Sequence, residues 1–287
     1  MKKFIHSYYS RPYLSENNRW KKEKEHITSL WLFSLSMEYV RRNNHEIVLF
    51  TDNFGAEIFA DLGYDKIYND LNCLEKMNLH ERFWAAGKII ALQNSPVGDV
   101  HIDGDVFLKN EQLCRDILNK DCDLIAQNAE SAFINGVDTH YCFIYSALEK
   151  IVPDLQKFIT KERYGLNCGV VGFQNAELKD KFCSGYFENM VKIHAHDLKT
   201  MSEISTPDLI CEQLFLMQCA RESNAKVELL LDSEWSEYGQ QIADKIGYCH
   251  LIGNSKYTYL PEVKNILQKI NPELYEKVLE RANKLEN

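Results

Sequence analysis

The chain has 287 residues, of which 45% are hydrophobic and 26% charged, and its formal net charge is −9. This length and apolar content suffice for one large α/β domain or two small ones, and they exclude a disordered or fibrous protein. The acidic balance argues against a nucleic-acid binder, which would be basic, and is ordinary for a soluble cytoplasmic protein.

Nine cysteines are scattered along the chain without a Cys-x-x-Cys pair. Their odd number and their positions in apolar runs favour free buried thiols in a reducing compartment over a disulfide framework. The apolar start of the chain is too short for a signal peptide. Because no run of about 18 apolar residues occurs, we expect no transmembrane segment.

Strands and helices are predicted to alternate through the first hundred residues. Apolar residues at helical spacing, including Trp31 and Leu35, predict an amphipathic helix after a first strand and a polar loop. A short apolar run, typical of a buried strand, then stops at Asp52, and the predicted helix that follows it ends at Gly63. In chain order the predicted elements are a strand at 4–5, a helix near 23–42, a strand at 46–51, a helix at 54–62, a strand at 66–68, a helix near 81–94 and a strand at 99–103.

The rest of the chain continues this alternation less regularly. Residues 127–166 carry no clear pattern, and the C-terminal residues predict one helix that begins near Pro261. We therefore expect an α/β protein with one domain over residues 1–260 and a C-terminal helical extension over 261–287. The remaining predicted elements are a helix at 110–119, strands at 123–126 and 168–173, helices near 177–195 and 207–221, and a strand at 227–231.

An acidic motif, His101-Ile102-Asp103-Gly104-Asp105, follows one of the predicted buried strands. Residues two apart on an extended segment point to the same side, so both carboxylates project from the carboxyl end of that strand, where ligands bind in open α/β sheets. Gly104 has no side chain, which lets a bulky ligand approach the backbone. Two hard carboxylate ligands suit Mg²⁺ or Mn²⁺, and such an ion favours a bound diphosphate.

Other interpretations of this motif are a solvated strand-ending turn and a phosphatase or phosphomutase of the haloacid-dehalogenase type. That enzyme class usually has Thr or Val two residues after the second aspartate, where this chain has Phe107. Its motif also usually accompanies the first strand, whereas here it lies a third of the way along the chain. These two differences disfavour the phosphatase interpretation.

Several segments, taken in order, resemble the GT-A glycosyltransferases, in particular the retaining glycogenin and galactosyltransferase-like group known as family 8. The resemblance covers roughly residues 3–257 and implies a single GT-A domain, a Rossmann-like fold with a mostly parallel central sheet flanked by helices. Tyr257-Thr258, where the family usually has Pro-Trp, and Glu212, in place of an aspartate, indicate a divergent branch. The segments are Trp84–Lys88, His101–Phe107, Asn167–Gly172, Glu212-Gln213 and His250–Lys256.

The resemblance implies a metal–diphosphate site. A divalent ion, Mn²⁺ or Mg²⁺, would be held by Asp103, Asp105 and His250 together with phosphate oxygens of the donor, whose leaving charge the ion stabilises. Gly253 would let backbone amides approach the phosphates, and Lys256 would add a cation there. Without Gly253 and Lys256, a surface or capping role would be the simpler interpretation of His250.

The resemblance also suggests residues that contact the reacting sugars. Lys88 would contact the donor sugar or Asp103, and Asn167 would orient the sugar or the acceptor. Glu212 and Gln213 would line the face from which the acceptor attacks. A front-side mechanism with retention needs no protein nucleophile, whereas in an inverting enzyme Glu212 would be the general base. The alternatives are a solvated lysine, a strand-capping amide and an ordinary glutamate at a helix start.

The nucleoside end of the donor has weaker candidates. Tyr8 and Tyr9, just past the first predicted strand, would stack on the nucleobase, and Asp52 would contact the nucleoside. Gly104 would leave room for the donor beside the acidic motif.

The sequence thus predicts a hexosyltransferase of polysaccharide biosynthesis that moves a sugar from a nucleotide-sugar, most simply a UDP-sugar, to a glycan or lipid-linked acceptor. Two alternatives stay open. A nucleotidyltransferase that makes sugar nucleotides usually has a glycine-rich loop after its first strand, and Ser7–Pro12 lacks those glycines. A non-catalytic protein of the same fold that binds nucleotide-sugars is the other.

Two further clusters are interpreted as solvated surface. His194-Ala195-His196-Asp197 has metal-binding residue types but lies at a predicted helix end without partners. Basic residues near the first helix are compatible with peripheral contact at the inner face of a membrane, but such runs are more often solvated helix faces. They are Lys21, Lys22, Lys24, Arg41 and Arg42.

Overall fold

The computed structural model describes residues 2–14, 24–77, 79, 83–131, 133–134, 137–138, 164–194, 208–232 and 237–286. The strands are β1 (Phe4–Tyr8), β2 (Ile47–Thr51), β3 (Lys66–Tyr68), β4 (Val100–Ile102), β5 (Val106–Leu108), β6 (Leu124–Ala126), β7 (Ala129–Ser131), β8 (Phe133–Ile134), β9 (Val137–Asp138), β10 (Tyr164–Leu166), β11 (Val170–Phe173), β12 (Val227–Leu229) and β13 (Tyr248–His250).

The helices contain most of the other described residues. They are α1 (Arg11–Leu14), α2 (Glu25–Arg42), α3 (Asn53–Phe59), α4 (Cys73–Lys76), α5 (Ala86–Asn94), α6 (Glu111–Leu118), α7 (Ala176–His194), α8 (Phe215–Glu222), α9 (Glu237–Ile246), α10 (Ser255–Thr258), α11 (Leu260–Ile270) and α12 (Pro272–Glu286). A 3₁₀ turn spans Asp70–Asn72, and a π-helix spans Leu209–Leu214 and continues into α8.

A seven-stranded sheet in the order β12-β6-β11-β4-β1-β2-β3 forms the centre of the molecule. Six of its strands run in one direction, and only β11 is antiparallel to its neighbours β4 and β6. The chain is therefore a mixed α/β protein with a mostly parallel sheet, as the alternation of strands and helices predicts.

Two hydrophobic clusters cover the two faces of this sheet, because successive strand residues point to opposite sides. Ile5 on β1 belongs to the cluster packed under α5 and α7, whereas Phe4 and Tyr8 belong to the cluster packed under α2 and the C-terminal helices. Since β1 lies between two parallel neighbours and is buried on both faces, its carboxyl end is fixed in the middle of the molecule.

The C-terminal region differs from the single predicted helix. It forms two helices, α11 and α12, which are interrupted at Asn271 before Pro272, because proline disfavours helical backbone in the residue that precedes it. Val263 and Val278 of these helices belong to the same hydrophobic cluster as α2. The boundary at residue 260 stays a prediction, but the two helices complete the core on one face of the sheet.

Most other predicted elements are confirmed with shifted ends. The helix predicted near 81–94 is α5, which begins at Ala86, so Trp84 lies in the turn before the helix and not on it. The helix predicted near 207–221 starts as a π-helix. Several short elements were not predicted from the sequence. These are β5, β7, β8, β9, β10, β13, α1, α4, α9 and α10.

Some predictions lie outside the described residues. They concern residues 139–163, Lys21 and Lys22 of the basic run, and Ala195–Asp197 of the histidine cluster. Within the described part of the chain, no helix combines the length and apolarity needed to cross a membrane.

Candidate functional site

The acidic motif forms the turn between β4 and β5. Its backbone is held by a bond from Asp103 N to Gly169 O at 2.9 Å and by one from Val106 N to Asp103 O at 3.0 Å. Strand β5 pairs antiparallel with β13, which places His250 opposite Val106. This pairing brings His250 beside the acidic motif although the two are far apart in the sequence.

Asp103, Asp105 and His250 form a candidate metal centre. Each offers one ligand atom, and these atoms all lie within 4.8 Å of one another. The His250 Nε2 and Asp105 Oδ1 atoms are 3.4 Å apart. Two carboxylates and one imidazole suit Mn²⁺ or Mg²⁺, and the incomplete donor set leaves positions for ligand oxygens. These residues therefore fit the ion that the sequence predicts.

The His250 ring is oriented by a buried amide that the sequence analysis missed. Gln127 Oε1 accepts from Tyr248 Oη at 2.6 Å and from His250 Nδ1 at 2.7 Å. The Gln127 amide nitrogen donates to Asn128 Oδ1 at 3.0 Å, which fixes the oxygen toward the imidazole. An amide oxygen only accepts, so Nδ1 carries a hydrogen, and Nε2 is the ring nitrogen that faces Asp105, as it is in histidines that ligate a metal.

The second acidic ligand is kept ionised by its neighbours. Burial alone would raise the pKa of the Asp105 carboxyl, but His250 and Lys256 outweigh burial and lower it below its ordinary value. A carboxylate that stays charged in a largely enclosed position is a strong attractor for a cation.

Lys88 links the acidic motif to Glu212, which also lines the cavity. Its ammonium lies 2.8 Å from Asp103 Oδ1 and 2.7 Å from Glu212 Oε1, and it donates to Cys168 O at 3.0 Å. Burial lowers the pKa of Lys88, but the two carboxylates outweigh that effect and raise it above its ordinary value. Lys88 is therefore a permanent buried cation and not a solvated lysine, and it contacts Asp103 as predicted.

The π-helix places Glu212 and Gln213 on the cavity wall. A π-helix has a wider turn than an α-helix and occurs frequently at functional sites. Glu212 is only 3% exposed and Gln213 is 9% exposed. The pair thus lies inside a helical segment and not simply at a helix start, and both side chains line the cavity.

Asp208 holds this wall in place, and it too was missed from the sequence. It is fully buried, accepts from Ala85 N at 2.8 Å before α5, and accepts from Tyr186 Oη at 2.5 Å. Since Ala85 precedes the helix that carries Lys88, the Asp208 carboxylate fixes Lys88 relative to the π-helix.

Asn167 lies in the turn before β11 and lines the cavity. Its side-chain oxygen accepts from Gly169 N at 2.9 Å, and its nitrogen donates to Glu130 Oε1 at 2.8 Å. Both ends of the amide are thus engaged by the protein, which supports a structural part for Asn167 in shaping the wall. The neighbouring Glu130 also lines the cavity and was not predicted.

Lys256 also lines the cavity, and its charge is balanced by a buried carboxylate. Its ammonium is 2.9 Å from Glu25 Oε1, and Glu25 is fully buried at the start of α2. Tyr257 Oη donates to the other oxygen of Glu25. Glu25 and Tyr257 therefore hold the Lys256 side chain in place, whereas the predicted partner of Lys256 was a phosphate.

These side chains surround one cavity of about 360 Å³. The structure brings most of the predicted site residues together on its walls. They are Lys88, Asp103, Gly104, Asp105, Asn167, Glu212, Gln213, His250, Gly253 and Lys256.

Three predicted nucleoside contacts do not line this cavity. Strand β1 continues through Tyr8, so the Tyr8 ring points into the core, is fully buried and packs edge-on against Phe33. Tyr9 is also buried, beside Gly87. Neither tyrosine is placed to stack on a nucleobase, whereas Tyr13, which stacks on Tyr8 at 4.9 Å, does line the cavity.

Asp52 is occupied as a structural acceptor. Its carboxylate accepts from Ser10 N at 2.8 Å, from Ser10 Oγ at 2.6 Å and, as the N-cap of α3, from Gly55 N at 2.9 Å. With an exposure of 2%, it is not placed to contact a nucleoside.

The two predicted site glycines, Gly104 and Gly253, occupy their positions for different reasons. A Cβ at Gly104 would lie 2.0 Å from the Phe33 ring, so it is close packing against α2, and not a ligand, that requires glycine there. Gly253 has a φ of +61° and nothing within 4 Å of the position of a Cβ, so its backbone conformation favours glycine and its surroundings are open.

Fold and site together define an α/β protein with a candidate metal centre at the carboxyl end of a mostly parallel sheet. Residues 1–281 match DUF6734, described as a family of unknown function, and the chain belongs to that family. No curated protein matches its sequence.

Proposed function

We propose that this chain is a metal-dependent glycosyltransferase that moves a sugar from a nucleotide-sugar, most simply a UDP-sugar, to a glycan or lipid-linked acceptor with retention. The observation that carries the proposal is the cluster of Asp103, Asp105 and His250 on the wall of the cavity that also contains Lys88 and Glu212. A cavity of this size lies in the range of small-molecule sites, which begins at about 300 Å³.

Asp103, Asp105 and His250 would hold a Mn²⁺ or Mg²⁺ ion, which as a Lewis acid stabilises the negative charge of a leaving nucleoside diphosphate. Lys256, which lines the cavity together with Gly253, supplies a cation for the diphosphate. Lys88 orients Asp103 through their 2.8 Å contact and keeps its own position through Glu212.

The environment of Glu212 supports retention over inversion. An inverting enzyme needs a general base with an accessible lone pair near the acceptor hydroxyl. Here Glu212 Oε1 contacts the Lys88 ammonium at 2.7 Å, and a carboxylate engaged by a cation is a poor proton acceptor. The leaving phosphate of the donor would instead take the acceptor proton.

A cytoplasmic location belongs to the same proposal. The described cysteines are free thiols, most of them buried, which is the state that a reducing compartment maintains.

The first test is a donor screen. Purified protein would be incubated with Mn²⁺ and a panel of nucleotide-sugars, and release of free nucleotide would be followed. We expect slow hydrolysis of at least one UDP-sugar, and Asp105→Ala should abolish it because the ion loses a ligand. The matched control is Asp116→Ala, which removes an exposed carboxylate of α6 outside the cavity and should leave the rate unchanged.

The second measurement is thermal unfolding with and without UDP and Mn²⁺. A ligand at a hundred times its dissociation constant stabilises the folded state by about 2.7 kcal/mol. An unchanged melting temperature would contradict the donor site. Binding without turnover of any donor would favour the non-catalytic alternative, and production of a nucleotide-sugar from a nucleoside triphosphate and a sugar phosphate would favour the nucleotidyltransferase.

A further inference from the structure

His101 has a buried ring nitrogen beside the candidate metal centre. His101, on β4, is 1% exposed, and its Nε2 lies 2.8 Å from Ser7 Oγ. Among the described residues, its Nδ1 has no hydrogen-bond partner. The nearest charged oxygen is Oδ1 of Asp103, at 3.8 Å, which is too long for a hydrogen bond.

The two neighbours of His101, Ser7 and Asp103, decide which of its ring nitrogens carries the hydrogen. A neutral imidazole has one N–H donor and one acceptor nitrogen. With the hydrogen on Nδ1, the donor faces the Asp103 carboxylate and Nε2 accepts from the Ser7 hydroxyl. The other tautomer would direct a lone pair at the carboxylate, which is repulsive.

The orphaned nitrogen also has a reason to find a partner. Buried polar groups in native proteins are almost always hydrogen-bonded, because an unsatisfied buried donor loses its water without compensation. Asp103 has the freedom to supply the bond, since its side chain is 30% exposed and lies in the turn after β4. A shift of about 1 Å would bring its oxygen within hydrogen-bonding distance of Nδ1.

We infer that His101 is a positioning residue of the metal centre, whose Nδ1–H donates to Asp103 Oδ1 in the cation-bound state. Lys88 already contacts that same oxygen. Two donors on Oδ1 fix the rotation of the carboxylate and leave Oδ2 to the cation. Hydrogen bonds of this kind behind a ligand orient it and tune its affinity for the metal. The inference rests on the proposed metal site and adds a residue to it.

Two amide substitutions separate this role from simple packing. The side-chain nitrogen of asparagine occupies the place of a histidine Nδ1, whereas that of glutamine occupies the place of Nε2. His101→Asn therefore keeps a donor toward Asp103 and loses the Ser7 contact, and His101→Gln does the reverse. Both variants lose the ring, so general disturbance of the core affects both.

The probe is Mn²⁺ alone, with free ion measured by electron paramagnetic resonance, on the full chain without donor. We expect His101→Gln to weaken Mn²⁺ binding about ten- to a hundredfold, the usual effect of losing such a bond, and His101→Asn to stay within about threefold of the unmodified protein. Melting temperatures without metal should be alike for both variants. Equal affinities in the two variants, or a weaker one in His101→Asn, would overturn the inference.

A failure of the proposed function would give a different result in the same binding experiment. If the unmodified protein itself does not bind Mn²⁺, the metal site and this inference fall together, whereas normal binding with no difference between the variants overturns the inference alone.

If either variant does not fold, long-range ¹H–¹⁵N spectra of the unmodified protein decide the question. We expect His101 to be protonated on Nδ1 in the Mg²⁺-bound state, with its signals assigned by their shift in Ser7→Ala, which keeps the ring and removes the hydroxyl beside Nε2. Protonation on Nε2 would overturn the inference.

Discussion

Lys88 and Lys256 are both less than a tenth exposed and both pair with buried glutamates, yet their surroundings differ. Lys88 is shared between Glu212 and Asp103, so its charge belongs partly to a candidate metal ligand. Lys256 pairs with Glu25, which lies outside the metal cluster and also accepts from Tyr257. The first pair couples the π-helix to the site, whereas the second couples the C-terminal part of the chain to the start of α2.

Because of this difference, substitutions of the two lysines can distinguish an effect on stability from an effect on the metal site. Removing one member of a buried ion pair leaves an uncompensated charge, whichever pair is broken. Only the loss of Lys88 also removes a direct contact with a candidate metal ligand, Asp103. A third buried lysine, Lys179, bonds the backbone oxygens of Ser95 and Gln93 and has no carboxylate partner among the described residues, so it serves as a control.

The largest effect is expected from Lys88→Met. The substitution leaves the Glu212 carboxylate buried without its cation, and we expect the free energy of unfolding in urea to fall by about 3–5 kcal/mol. Mn²⁺ affinity should fall as well, because Asp103 loses a fixed donor. Adding Glu212→Gln should restore part of the stability but not the affinity. If Lys179→Met weakened Mn²⁺ binding equally, the link between Lys88 and Asp103 would lose its support.

Lys256→Met should have a smaller effect on stability, about 2–3 kcal/mol, because Tyr257 still donates to Glu25. The double variant Lys256→Met/Glu25→Gln removes both charges of this pair and should recover at least half of the loss. Urea midpoints with unchanged slopes would measure both values. A double variant no more stable than Lys256→Met would show that the Glu25 charge is not what destabilises the single variant.

The smallest effect is expected from an exposed pair. Lys284 and Glu280 contact each other one turn apart on α12, at 67% and 68% exposure. Solvent and salt screen such pairs, so Lys284→Ala should leave the urea midpoint and Mn²⁺ binding unchanged. A midpoint shift as large as that of Lys256→Met would contradict the view that burial decides the strength of these pairs.

The course of β1 illustrates what sequence patterns leave open. Apolar residues predict the strand at 4–5, but the strand continues to Tyr8 because β2 pairs with it as far as Thr51. Once the strand extends, alternation turns the Tyr8 ring into the core and away from the cavity. Asp52 is not placed to contact a nucleoside for a different reason, because its carboxylate already accepts hydrogen bonds from Ser10 and Gly55.

The candidate site likewise has features that local sequence determines and features that it leaves open. Apolar runs and helical spacing determined the alternation of strands and helices, and the apolar run before Asp103 determined that two carboxylates follow the end of one strand, although they lie in the turn after β4 and not on an extended segment. These features are local, because they depend on residues a few positions apart.

The tertiary structure decided which side chains contact the site residues. His250 is oriented by Gln127, Lys256 by Glu25, and the wall that carries Glu212 by the bond between Asp208 and Ala85. Each contact joins segments more than a hundred residues apart and depends on how the sheet orders its strands and how the helices cross it. Side-chain periodicity carries no information about that order, so the sequence by itself determined the acidic motif, and only the fold decided which charges surround it.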